Sequence, residues 1–472
     1  MIENEIFNGE SKYCEFKECL PEKSIKYMKT VVAFSNGIGG KIIFGVKDDT
    51  REIVGIDNDN IFKSMDSITN AISDSCEPAI IPDVTLQSIG NKTVIVVEIG
   101  HGNQTPYYIK SLGRDQGTFI RVAGTTRIAD ENRILELLFE GKNKSYDKVV
   151  CRGITASDED IQSLCKELKQ TAIRNSKDNE KELVKDVTKN TLINWGVLVE
   201  EDGEVLPTNA YALLTGNPIL EVITQCGVFK GTDRSVFIDR RELTGPIQCQ
   251  VEEAYKYVLS KINLGASIEG LYRHDEYELP IKSVREIIAN AITHRSYIDI
   301  GNVQIALFDD RLEITSPGML LNGVTIEKMK EGYSKVRNKA IANAFTYMKI
   351  IEQWGSGIPR LYKEFKDSGL EEPELIDMDG DFRVNLNRRR QIETIESLQK
   401  TYSNKSRLDD LDLGILDVLR KGSTLSQKNV AELLNEDVNL IKYRINRMKG
   451  MGFIHRKGTS RKGSWIIAEN EL

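Results

Sequence analysis

Short apolar runs alternate with amphipathic stretches along most of the chain, and their order predicts an α/β protein of several units. After Pro21, the apolar positions Ile25, Met28, Val31, Val32 and Phe34 recur at helical spacing. Asn36-Gly37 supplies the stop, because glycine takes the left-handed conformation that closes a helix. Lys41–Val46 and Glu52–Ile56 then read as strands around the turn Asp48–Arg51, a hairpin pattern. A helix over about 60–75, strands at Val84–Ile89 and Thr93–Ile99, and a strand and turn in Gly117–Thr126 complete a unit spanning 1–140.

Residues 141–205 read as a charged helical connector, with helical patterns over Asp158–Gln170 and Lys181–Trp195. A second α/β unit covers 206–390, with strands at Val222–Phe229 and Arg234–Asp239 and a helix over Ile247–Ile262. Residues 391–408 are polar and read as a linker. The terminal stretch 409–472 has its own layout. Helices are expected over Asp410–Leu419, Gln427–Leu434 (capped by Ser426) and Val438–Met448. Strands Phe453–Arg456 and Ser464–Ile467 follow, joined by a basic loop over 457–463. Three helices with a tight second turn and a basic hairpin resemble the winged helix-turn-helix.

Charge sharpens that reading. The whole chain carries a net charge of −7, so a nucleic-acid footprint must be local. Residues 438–468 hold Lys442, Arg444, Arg447, Lys449, Arg456, Lys457, Arg461 and Lys462 and no acid. Such a helix and wing can neutralise phosphates of double-stranded DNA; the alternative is a solvated basic face used for protein contacts. The seven cysteines form no C-x-x-C pair, which argues against a disulfide framework or a structural zinc site. No apolar run approaches a membrane span and the first residues lack a signal pattern, so a cytoplasmic protein without membrane contact is expected. There is no internal repeat.

The residues with chemistry lie in two places. In Val284–Arg295, Glu286, Asn290 and His294 fall four residues apart and so share one face of an otherwise apolar helix. Burying such groups without partners is costly, so the face needs a reason. Downstream come Ser316-Pro317-Gly318, Arg337-Asn338 and Glu352-Gln353-Trp354-Gly355-Ser356-Gly357-Ile358, with Asn209–Leu214 and Gly245-Pro246 upstream. This order closely resembles the GHKL-like ATPase domain of proteins described as transcriptional regulators or as RecG-like C-terminal domains. The resemblance implies an α/β sandwich holding ATP and Mg²⁺. In it Glu286 polarises water, Asn290 holds the metal, and His294, Ser316, Gly318, Asn338, Gly355 and Gly357 contact the nucleotide. Glycines let backbone N–H groups approach phosphates. Ser316-Pro317-Gly318 stands where the adenine-contacting Asp-x-Gly-x-Gly motif is expected, which leaves binding alone and turnover both open.

The second place is Glu10–Lys17, together with Ala33–Asn36, Gly39-Gly40, Gly45–Asp49 and Val54–Ile56. It closely resembles the Schlafen AlbA-type domain, which implies contact with RNA or single-stranded nucleic acid. In nuclease members three carboxylates form a metal-dependent site; the matching positions are Glu10, Glu15 and Asp48, with Lys17 set to meet phosphate. Clustered carboxylates can hold Mg²⁺ or Mn²⁺ and activate water. They can equally be surface groups paired with Lys12 and Lys17. Two functions follow: an ATP-binding, DNA-binding transcriptional regulator, expected to be a homodimer, or a nucleotide-gated nuclease acting against foreign nucleic acid.

Overall fold

The structure is a computed structural model that describes residues 6–7, 9–57, 60–122, 124–269, 272–352, 354–378, 380–388, 410–450, 453–457 and 463–467. The chain forms two compact units, Met1–Arg388 and Arg389–Leu472. No helix among the described residues is long and apolar enough to cross a membrane.

The first unit begins with β1 (Cys14–Lys17), α1 (Ile25–Ser35), β2 (Gly40–Phe44), α2 (Ile61–Ser75), β3 (Asp83–Ile89) and β4 (Lys92–Ile99). The strands form one sheet in the order β1-β2-β4-β3, with β1 parallel to β2 and the other pairs antiparallel. Helix α1 buries Tyr27, Met28, Val31, Val32 and Phe34 against it. The hairpin expected over 41–56 shrinks to its turn end, where the Lys47 N–H donates to Glu52 O at 3.0 Å and the Val54 N–H to Gly45 O at 2.9 Å. β2 takes β1 and β4 as partners, and Val46 to Ile53 is a single bridge. Gly45 and Gly55, at φ +103° and +78°, turn the chain away, so that the Ile56 N–H donates to Thr93 O at 2.8 Å. A short hairpin, β5 (Phe119–Val122) and β6 (Thr125–Ile128), and α3 (Glu131–Gly141) follow.

Next come α4 (Asp158–Asn175), started by a Ser157–Asp160 capping box, and α5 (Lys189–Trp195), capped by Thr188. The helix expected over 181–195 is therefore shorter at its start: 178–183 is a 3₁₀ turn, and the β-branched Val184, Val187 and Thr188 hold the chain extended before the cap. Apolar residues of this connector, Ile161, Leu164, Leu168 and Leu192, belong to the same core as the following sheet.

That sheet has six strands: β7 (Thr224–Phe229), β8 (Phe237–Leu243), β9 (Val303–Leu307), β10 (Arg311–Pro317), β11 (Glu374–Asp377) and β12 (Asp381–Asn387). Their order is β8-β7-β9-β10-β12-β11, antiparallel except for β7 against β9. Helices α6 (Ile247–Leu259), α7 (Ile281–His294), α8 (Lys339–Tyr347) and α9 (Gly357–Asp367) share its core. On α7, Val284, Ile287, Ile288 and Ile292 are buried, which leaves the polar stripe for another surface.

The second unit holds α10 (Asp410–Lys421), α11 (Gln427–Leu434), α12 (Val438–Gly450) and the hairpin β13 (Ile454–Lys457) with β14 (Ser464–Ile467). Ile415, Leu419, Val430, Ile441, Ile445, Phe453 and Trp465 form its core. The Trp465 indole N–H donates to Leu425 O at 3.1 Å and ties the wing to the helices. The protein is α/β throughout the first unit and a winged helix-turn-helix in the second.

Candidate functional site

A cavity of about 510 Å³ opens in the first unit between α7, α8, the segment after β10 and the turn leading into α9. Glu286, Asn290 and His294 line it from α7, Ser316 and Gly318 from the end of β10, and Gly355 and Gly357 from the turn. Seven residues scattered over 72 positions thus meet at one surface. Asn338 does not join them. It is buried, and its amide donates to Thr293 O and Arg295 O at 2.8 Å each, so it joins the end of α7 to the start of α8.

The polar groups differ in freedom. The Asn290 side chain makes no hydrogen bond among the described residues and is available to a ligand or cation. The Ser316 hydroxyl donates to Ala291 O at 2.7 Å. Burial, with the Arg337 cation beside it, holds the His294 imidazole down to about 4, so it is neutral at physiological pH. A Cβ at Gly357 would stand 1.9 Å from Glu286 Oε1, so an added side chain has to displace that carboxylate. Gly355 has φ +66°, and a Cβ would meet Gly332 O at 1.9 Å. Arg337, quoted in the motif order but given no role, also lines the cavity, as do Lys148, Lys339 and Asn343, which the sequence reading missed. Lys339 and Asn343 are one turn apart on α8, a legible helical spacing; Lys148 ends a distant 3₁₀ turn (Tyr146–Lys148) and leaves no local signal. Arg337 donates to Glu136 at 3.0 Å and to His294 O at 3.1 Å, linking the wall to α3.

The carboxylates of the N-terminal sheet do not form the expected cation site. Glu15 is 8% exposed and spends its oxygens on Arg121 (2.6 Å), Thr30 (2.9 Å) and Lys17 (2.8 Å). A buried carboxylate needs such partners, and they saturate it. Lys17 also donates to Phe16 O at 2.9 Å, so its half-buried ammonium is already engaged by two oxygens of the domain. Glu10 accepts the Phe16 N–H at 2.8 Å. Burial, with Asp48 and Glu15 nearby, pushes the Glu10 carboxyl up against that hydrogen bond. Among the described residues no three His, Cys, Asp or Glu side chains stand where they could share a metal ion. Asn36 of the same signature is structural: its amide pairs with the backbone of Tyr107 and donates to Phe119 O.

In the second unit the basic residues divide. Arg444 (3.3 Å) and Arg447 both pair with Asp412, whose side chain is fully buried. Both are half-buried and tied to that acid, unlike the exposed lysines of the same helix. Arg456 stacks over Trp465, 4.9 Å from the ring centre. Lys442, Lys449 and Lys457 are exposed. Arg461 and Lys462 lie outside the described residues.

Family models match each of these regions. Residues 10–130 match "Schlafen, AlbA_2", residues 301–386 match "Putative ATP-dependent DNA helicase recG C-terminal", and residues 408–455 match "Winged helix-turn-helix DNA-binding". The chain thus carries, in this order, regions similar to a Schlafen AlbA domain, a RecG-like C-terminal ATPase domain and a winged helix-turn-helix. A stretch of 82 residues is 40% identical to an uncharacterized ATP-binding protein of Ureaplasma parvum. That match spans 17% of this chain and 23% of the relative's length. A crystallised protein of Corynebacterium diphtheriae is similar over 98% of this chain and 92% of its own, at 18% identity and a TM-score of 0.43. The N-terminal domain of a RecG-related protein of Nitrosomonas europaea is similar over 25% of this chain and 81% of its own, at 23% identity and a TM-score of 0.19.

Proposed function

We propose that the cavity binds ATP with Mg²⁺ and that the protein is a nucleotide-responsive regulator of transcription that holds double-stranded DNA through its terminal domain. The observation that carries the nucleotide reading is the convergence of Glu286, Asn290, His294, Ser316, Gly318, Gly355 and Gly357 on one cavity, with Asn290 unpartnered among the described residues. The donor set fits the ligand. Glycine backbone can approach phosphates where a Cβ would clash, and Asn290 would hold the Mg²⁺ that neutralises them. Lys148 and Lys339 add positive charge to the wall. The ATP-binding relative supports the same ligand.

For DNA, the exposed face of α12 carries Asn439, Lys442, Tyr443, Asn446 and Lys449, all on one side at helical spacing. Asn and Tyr present groups that can read base edges, and the lysines meet phosphate. Two copies reading two half-sites would make the working form a homodimer. The test is duplex binding at several salt concentrations. Lys442→Ala/Lys449→Ala is expected to weaken binding and to flatten the salt slope by about two. An unchanged slope sinks the assignment of this face. Binding of RNA or single strands belongs to the N-terminal domain in this reading, and cleavage does not, since Glu15 is saturated.

A further inference from the structure

The fold treats the two oxygens of Glu286 differently. Oε2 pairs with the guanidinium of Arg360, while Oε1 makes no hydrogen bond among the described residues and lies against Gly357 at the cavity wall. Arg360 itself is not on the wall. It stands behind Glu286, on α9 three residues past Gly357, and is fixed from the other side by Glu352 through two bonds of 2.8 Å. Glu352 in turn accepts the Ser356 hydroxyl at 3.1 Å. The cavity therefore contains a carboxylate with one oxygen anchored, one oxygen bare, and a cation behind it that is itself anchored.

We propose that Arg360, held by Glu352, is the positioning residue for Glu286, so that Oε1 receives the proton of the water that attacks the terminal phosphate. This rests on the nucleotide reading above and goes beyond it by assigning turnover and the pair that orients the base. In the step, the water oxygen bonds to the terminal phosphorus and the bond from that phosphorus to the bridging oxygen breaks. Its electron pair leaves with the diphosphate, the water proton passes to Oε1, and from there it reaches solvent. A carboxylate free to rotate would rarely meet the water in line, and one without a cation would repel the phosphates. A guanidinium suits the place because its planar fork can serve two carboxylates at once, which an ammonium does less well.

The experiment uses the full chain with ATP and Mg²⁺ and measures nucleotide binding and phosphate release separately. The proteins are wild type, Arg360→Met, Arg360→Lys, Glu352→Gln and Glu286→Gln. Wild type is expected to release phosphate. Arg360→Met is expected to bind ATP within about threefold of wild type but to lose at least about tenfold in kcat, with Arg360→Lys recovering part of it. Glu352→Gln should show a smaller kcat loss, and Glu286→Gln should abolish release. The proposal is overturned if wild type binds ATP without releasing phosphate, or if Arg360→Met turns over at the wild-type rate. It is also overturned if Arg360→Met and Arg360→Lys lose binding and turnover together, since that is a structural role. If wild type binds no ATP, the nucleotide reading itself fails and the positioning role with it.

Discussion

Single residues here are defined by what sits behind them. Gly357 leaves room for the Glu286 carboxylate, and any side chain would displace it. Gly357→Ala is expected to reduce ATP affinity more than about tenfold, roughly 1.4 kcal/mol, by titration. A retained affinity would mean that the turn moves freely. His294 gives a pH signature. Its folded value of about 4 lies below its ordinary 6.5, so the fold favours the neutral ring. That contribution is whole above pH 6.5 and is lost as pH falls from 6.5 toward 4. Melting temperatures at pH 7 and pH 5 should therefore differ less in His294→Gln than in wild type; equal differences would contradict the assignment. The stripe of Glu286, Asn290 and His294 was legible because three polar groups on an apolar helix face must have a use. Arg360 was not, because its partner lies 74 residues away. The pairing of Arg444 and Arg447 with Asp412 was hidden for a related reason. Composition shows a basic helix but not which cations a buried acid takes inward.

At the scale of elements, distant caps decide what propensity does not. The fully buried Asp147 accepts the Ala340 N–H at 2.7 Å and the Ile341 N–H at 2.9 Å, so the start of α8 is capped by a residue nearly two hundred positions earlier. Asp147→Ala should cost about 2 kcal/mol in urea unfolding, since two buried donors lose their acceptor. A loss below about 0.5 kcal/mol would show that water replaces it. No local pattern announces such a cap, whereas the Ser157 and Ser426 caps sit beside their helices and could be read directly. The hairpin expected over 41–56 is shorter than its pattern for the same reason. Alternating apolar residues identify a strand, but long-range pairing with β1 and β4 chooses its partners. In the winged helix, Arg444→Ala/Arg447→Ala leaves the buried Asp412 without these two cations. It should destabilise the second unit by about 3 kcal/mol. Loss of DNA affinity with unchanged stability would instead return both arginines to the DNA surface.

At the scale of the molecule, the three regions were readable in outline because each combines a periodic pattern with a motif in order. The shared core of the connector and the six-stranded sheet was not, since it depends on which apolar faces meet. The two compact units should respond separately to ligand. ATP with Mg²⁺ is expected to raise the melting temperature of the unit Met1–Arg388 by mass action, while the unit Arg389–Leu472 keeps its own. The most direct test of the account is calorimetric titration of the full chain with ATP and Mg²⁺, beside Asn290→Ala and a titration with chelator. The account predicts one saturable site per chain, weakened at least about tenfold in Asn290→Ala and by removal of Mg²⁺. No saturable binding, or an affinity indifferent to both Asn290 and the metal, would contradict it.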